Sequence, residues 1–335
     1  MSINGIDEFK NDKNLTRISY EQLIDSLKAQ GFKFTFAEFD EIGNYLPEDS
    51  DWNYKDVTHL NHVHTKVHSV LATALDDMTT CINLQSISLL GVKIPLSMVN
   101  YEFDKFNQIY FTSSGPFLII GNTLSELHGE DQTKVTTKFA IGSKGFVSIF
   151  HPLIKFVLSK NHKTLMDEDT PMRVRRGLLR KNGHSFYIPK ETYPFDFSEE
   201  ISRSNIFLKK VDNGISISKR ELYKKGEKEE TIGEEIGIYS FFTTNKDGQI
   251  SLWTSTCSHE GAFLSKQCLK KNILKCPWHG RKIQPLLTVN NEKNIKIIPS
   301  IDYAVREEKD HIRIKFRNEP NYYNKKPYKF LSFEN

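Results

Sequence analysis

Only four cysteines occur in 335 residues, at positions 81, 257, 268 and 276. That is too few for the disulfide framework of a small secreted scaffold, and it predicts reduced thiols. No uncharged run approaches the roughly 18 apolar residues of a membrane span. The opening MSINGIDEFKNDKN has no apolar core behind a basic start, so no secretory leader is expected and the cytoplasm is the default location. The formal charge of +4 is spread along the chain rather than gathered into a basic block interleaved with aromatics, which argues against a nucleic-acid partner. Apolar (38%) and charged (26%) fractions are ordinary, so a chain of this length predicts about two domains, each able to bury a core.

Against this plain background one stretch stands out, Trp253 to Gly280, WTSTCSHEGAFLSKQCLKKNILKCPWHG. It sets Cys257-x-His259 and Cys276-x-x-His279 with 16 residues between the pairs, four metal ligands on two short loops. Two Cys and two His serve zinc as well as an iron–sulfur cluster. Each loop here mixes one Cys with one His, which suits a cluster with one iron on two thiolates and the other on two imidazoles. The boxes CSHEG and CPWHG resemble those of the Rieske iron–sulfur family over roughly residues 195 to 317. That resemblance implies a [2Fe-2S] cluster on Cys257, His259, Cys276 and His279. The extra loop cysteines of the high-potential respiratory type are absent, and Trp278 before the second His looks more like the oxygenase and ferredoxin branches.

A second dense stretch is DWNYKDVTHLNHVHTKVHS, Asp51 to Ser69, where His59, His62, His64 and His68 fall within ten residues. Metal or proton chemistry is one reading. The other is a half-exposed strand from His62 to Val70 with the later histidines on one face.

Elsewhere, Ser19 to Gln30 followed by Gly31 predicts a short capped helix, and the aromatic-rich run from Phe32 to Pro47 predicts a strand or ordered arm. Thr79–Leu90, Lys93–Tyr101, Gln108–Thr112, Pro116–Leu124 and Thr133–Ala140 read as an antiparallel meander, with a turn at Gly129–Gln132. From Val147 the period becomes helical. Phe150, Leu153, Ile154, Val157, Leu158 and Leu165 are expected to pack on the sheet until Thr170-Pro171 interrupts; a second helical segment follows to Gly183. Arg173, Arg175, Arg176 and Arg180 read as a solvated or interdomain helix face. Lys225–Glu235 and Ser198–Ser204 read as exposed joints, with the domain boundary at Pro189–Pro194.

A sheet wrapping one long C-terminal helix is the α+β helix-grip arrangement, and the element order resembles the START-like or polyketide-cyclase-like superfamily, to which the catalytic domain of Rieske oxygenases belongs. Those domains hold a mononuclear iron by Asp-x-x-His-x(4 or 5)-His and a later carboxylate. The resemblance implies Fe(II) on His59, His64 and a carboxylate, Asp169 first and Glu168 next, with Asp56 orienting imidazole and carrying electrons between the sites. Two imidazoles and one carboxylate leave open positions for dioxygen and substrate. The implied layout is an extension at 1–50, a START-like catalytic domain at 51–188, a Rieske domain at 195–317 and a tail at 318–335. This reverses the usual domain order, so electrons must pass through a linker that reaches or between subunits of a ring such as a homotrimer. The expected activity is hydroxylation, desaturation or demethylation of a small apolar or aromatic substrate, with electrons from a reductase or ferredoxin. The competing function is a non-enzymatic START-like lipid- or polyketide-binding module joined to a Rieske electron carrier.

Overall fold

In the computed structural model the described residues are 18–75, 80–89, 92–182, 184, 186–187, 207–208, 214–233, 238–258, 260–271, 273–300 and 303–316. Helix α1 (Tyr20–Ala29) starts as expected, with a capping box in which Ser19 and Gln22 exchange side-chain and backbone hydrogen bonds. The aromatic run is strand β1 (Lys33–Gly43), and Pro47 opens helix α2 (Pro47–Lys55) at a position where its missing N–H costs nothing. After a 3₁₀ turn (Val57–Asn61) come β2 (Val67–Leu75), β3 (Thr80–Leu89), β4 (Val92–Asp104), β5 (Asn107–Ser114), β6 (Phe117–Leu127) and β7 (Thr133–Ser143). They form one antiparallel sheet in the order β1-β7-β6-β5-β4-β3-β2. A 3₁₀ turn (Gly145–Phe150) leads into helix α3 (His151–Lys181).

Alternation along the strands gives the sheet two faces. On one, Ile109, Ile120 and Ala140 pack with Tyr20 and Ile24 of α1. On the other, Phe39 and Phe139 meet the His162 ring of α3, with centroids 4.7 and 5.3 Å away. This is the expected helix-grip arrangement.

Four expectations need correction. The strand begins at Val67 rather than His62, so His59, His62 and His64 lie before it. Thr170-Pro171 does not interrupt α3, which runs unbroken to Lys181. A mid-helix proline costs about 3 kcal/mol, yet burying Met172 and Leu179 beyond it returns about 1.5–3 kcal/mol for each side chain. Thr170 Oγ1 also donates to the Met166 carbonyl (2.7 Å), tying its hydroxyl to the turn before Pro171. Phe150 and Leu153 are exposed instead of lying on the sheet. Lys225–Glu235 is not a loose joint: it holds the end of helix α4 (Lys219–Glu227) and the strand Thr231–Gly233, because Leu222 and Gly226 pack into a core. Ser198–Ser204 and Pro189–Pro194 lie outside the described residues.

The C-terminal part is mostly β. A five-stranded sheet contains Ser240–Lys246, Gln249–Thr254 and Leu287–Val289, and a three-stranded one contains Leu269–Lys270, Ile273–Lys275 and Lys282–Ile283. The two halves share cores. Leu179 of α3 lies in the cluster with Phe241, Leu252 and Ile314, while Trp52 and Met172 lie with Cys257, Leu264, Cys276 and Trp278.

Candidate metal centres

The two cysteine loops are built alike. In the first, Gly261 N–H donates to the Cys257 carbonyl and Cys257 N–H to the Ala262 carbonyl; in the second, Gly280 N–H donates to Cys276 and Cys276 N–H to Arg281, all at 2.9 Å. Both turns close through a glycine in the left-handed region, Gly261 at φ 86° and Gly280 at φ 66°, which is why each box ends in glycine. Arg281 donates to Ser258 Oγ (3.0 Å) and links the loops. Cys257 and Cys276 are buried and form no disulfide, and their sulfurs are in hydrogen-bond contact. Burial and the neighbouring Cys257 push the Cys276 thiol well up, although backbone N–H groups of His279 and Trp278 point at its sulfur. A buried sulfur pair fed by amide donors is a cradle for thiolates that a metal would neutralise. His259 lies outside the described residues.

His279 leaves the loop and enters the N-terminal half. Its Nε2 is 2.6 Å from Asp56 Oδ2 and 3.4 Å from Glu260 Oε2. Asp56, fully buried, ends helix α2. One helical turn on, His59 Nδ1 lies 3.4 Å from the same Asp56 oxygen. Backbone bonds from His62 and Val63 to the His59 carbonyl (2.9 Å each) fold the chain back and return His64 beside His59.

Three atoms converge there. His59 Nε2 and His64 Nε2 are 3.1 Å apart, and Asp169 Oδ1 lies 3.2 and 3.3 Å from them. Metal–ligand bonds of about 2.1 Å at right angles separate their donors by about 3 Å, so the triangle matches one face of an octahedron. The electrostatics ask for a cation. Burial opposes charge on His59, yet hydrogen bonds to Asp169 and Asp56 push its imidazolium up to about 10. Burial likewise opposes charge on Asp169, and the two histidines nevertheless hold its carboxyl far below the usual range.

Continuity of α3 points the three acidic residues in different directions, because successive side chains turn about 100° around a helix. Asp167 is exposed, Asp169 is buried with the two Nε2 atoms, and Glu168 lies between. Glu168 Oε2 instead meets His64 Nδ1 (2.8 Å), and its Oε1 accepts from Thr65 Oγ1 (2.7 Å). Its place is behind His64, fixing the ring. His62 packs on Gly280, where an added Cβ would come within 2.4 Å of its ring. His68 is on β2, its side chain outside the described residues.

Sequence reasoning missed the supports. Arg173, buried, donates to Asn53 Oδ1 (2.9 and 2.8 Å) and lies 3.7 Å from Asp169; Asn53 in turn donates to Asp169 (3.4 Å). Arg176, also buried, stacks on Trp52 with its guanidinium 4.0 Å from the ring centroid and pairs with Asp49 (3.3 Å). Neither is solvated. Arg175 fits the interdomain reading, donating to the Gly261 carbonyl and Thr256 Oγ1 of the first cysteine loop (3.1 Å each). Trp52 Nε1 donates to Glu260 (3.0 Å), whose carboxyl burial and the nearby Asp56 push up to about 8. The only advance signal was the density of arginines after the acidic run.

Residues 216–297 match the family described as the Rieske [2Fe-2S] domain. That region is a Rieske domain, which implies a [2Fe-2S] cluster and electron transfer. No curated protein matches the chain in sequence. Among solved structures it is similar to the Zhui aromatase/cyclase from a Streptomyces species, at 9% identity over 43% of this chain and 96% of that one, with TM-score 0.37. A START superfamily protein from Mycobacterium smegmatis is 10% identical over 41% and 96% of the two chains, TM-score 0.36. Norcoclaurine synthase from Thalictrum flavum is 11% identical over 44% and 90%, TM-score 0.33. The helix-grip assignment rests on the sheet order and α3 themselves. Among the described residues no helix is long and apolar enough to cross a membrane.

Proposed function

We propose that the chain is a Rieske-type non-heme iron oxygenase in which the Rieske domain serves the helix-grip domain of its own chain. The observation that carries this reading is the Asp56 carboxylate, 2.6 Å from His279 and 3.4 Å from His59. Neither a lipid carrier nor an isolated electron carrier has a use for a buried carboxylate joining those two imidazoles.

His59 Nε2, His64 Nε2 and Asp169 Oδ1 would hold the mononuclear iron, and Cys257, His259, Cys276 and His279 the cluster. Fe(II) held on one face leaves positions for dioxygen and substrate, and is the chemistry such a centre supplies. Glu168 accepts from His64 Nδ1–H, which keeps the Nε2 lone pair toward the metal. Asp56 accepts from His279 Nε2–H and faces His59 Nδ1, so one carboxylate orients a ring at each centre and offers a short path between them. Arg173 and Asn53 keep Asp169 in place. Phe39, Phe139 and Tyr110, on the α3 side of the sheet, suit an apolar or aromatic substrate. Two electrons per dioxygen would arrive one at a time from a reductase or ferredoxin. With the link made inside one chain, a ring of subunits is not required, and the reversed domain order is accommodated.

The test is the rate at which dioxygen reoxidises the reduced cluster. Asp56→Asn, with both metals loaded, is expected to slow it about 10–100-fold, and Asp169→Ala to slow it similarly with cluster absorbance unchanged. Native rates in both variants would leave the binding-module reading in its place.

A further inference from the structure

Phe150 and Leu153, expected on the sheet, belong instead to an exposed apolar stripe. Phe146, Ile149, Phe150, Leu153 and Phe156 recur every three or four residues along the Gly145–Phe150 turn and the start of α3, and are between 47% and 78% exposed. A stripe at this spacing normally faces a core. Here the opposite face is fixed inward by His151, whose ring bonds Ser143 Oγ (2.8 Å) and Thr35 Oγ1 (3.2 Å), so the apolar side chains are held in solvent.

Charge says what such a face suits. Residues 132–166 contain no Asp or Glu. Lys144, Lys155, Lys160 and Lys163 are exposed in the same stretch, and Lys160 and Lys163 continue the outer face one and two turns beyond Phe156. Association of two copies through this face would bring lysine against lysine with no local carboxylate between them. We propose that this face docks on the surface of an anionic lipid bilayer. The five apolar side chains enter the boundary between headgroups and acyl chains, and the lysines meet the lipid phosphates. The helix lies on the membrane rather than crossing it. This inference stands independently of the oxygenase reading.

The full chain is tested by co-sedimentation with vesicles of phosphatidylcholine alone and with about 30% phosphatidylglycerol. Binding is expected on the anionic vesicles and to be lost in about 0.5 M salt. Phe146→Ser/Ile149→Ser/Phe156→Ser is expected to lower it by at least about tenfold, and Lys155→Gln/Lys160→Gln/Lys163→Gln to lower it severalfold. Unchanged circular dichroism and visible absorbance check that the variants fold. The proposal is overturned if the native chain ignores anionic vesicles, or if both variants bind as the native chain does. It is equally overturned if the native chain is a dimer that the triple serine variant makes monomeric, since the face would then join two copies.

Discussion

In the C-terminal half Cys257 and Cys276 sit on two copies of one glycine-closed turn, each complete within six residues; in the N-terminal half His59 on a 3₁₀ turn and His64 just beyond it wait for a carboxylate from the far end of the fold. The loop site depends on local backbone geometry and declares itself in the order of its residues. The pocket depends on the phase of α3, and hence on every contact that keeps that helix continuous past Pro171. One site is therefore written locally, and the other is a property of packing.

Removing a loop ligand tests the local side of the comparison and carries the largest effect. Cys276→Ala is expected to abolish visible absorbance, since each thiolate is one of two on its iron, while Fe(II) binding at the histidine pocket persists. Loss of both would show that the pocket depends on the loops.

Arg173→Met tests the packing side. Breaking a buried charge cluster costs about 3–5 kcal/mol, and the urea midpoint of the metal-free chain should fall accordingly, with Fe(II) affinity falling too. A shift under about 1 kcal/mol would mean Arg173 does not hold Asp169.

His162 measures how dry the space between α3 and the sheet is. Burial, helped by the Arg173 charge and opposed by Asp169, pulls its imidazolium down to about 4 from 6.5. The folded value lies below the unfolded one, so the neutral ring's contribution is fully present above pH 6.5 and is lost as pH falls from 6.5 towards 4. That amounts to about 3 kcal/mol at most. In His162→Phe this part of the acid dependence of unfolding should flatten; an unchanged slope would place the proton elsewhere.

The same contrast explains what the sequence disclosed. CSHEG and CPWHG named a Rieske domain because ligand type, order and closing glycine are local requirements. The meander and α1 were readable from short β-branched and aromatic runs between turn residues and from Ser19 to Gln30 with Gly31 following, which are also local. The resemblance ranked Asp169 before Glu168 by position, but the residues themselves did not separate them, because Thr170-Pro171 looked like a break, and at a break no phase links these carboxylates to the histidines. Arg173 and Arg176 read only as part of a solvated or interdomain helix face because their partners Asn53 and Asp49 are distant in sequence. Phe150 and Leu153, two members of the exposed stripe, were assigned to the sheet because periodicity says that a face exists, and says nothing of what covers it.

The central claim is that one chain holds two metal centres joined at Asp56. Iron and acid-labile sulfide counted per chain, after reconstitution with Fe(II), test it most directly. The account expects about three irons and two sulfides in the native chain, and about two of each in Asp169→Ala with its cluster spectrum intact. Two irons in the native chain, or no difference between the two proteins, would contradict it.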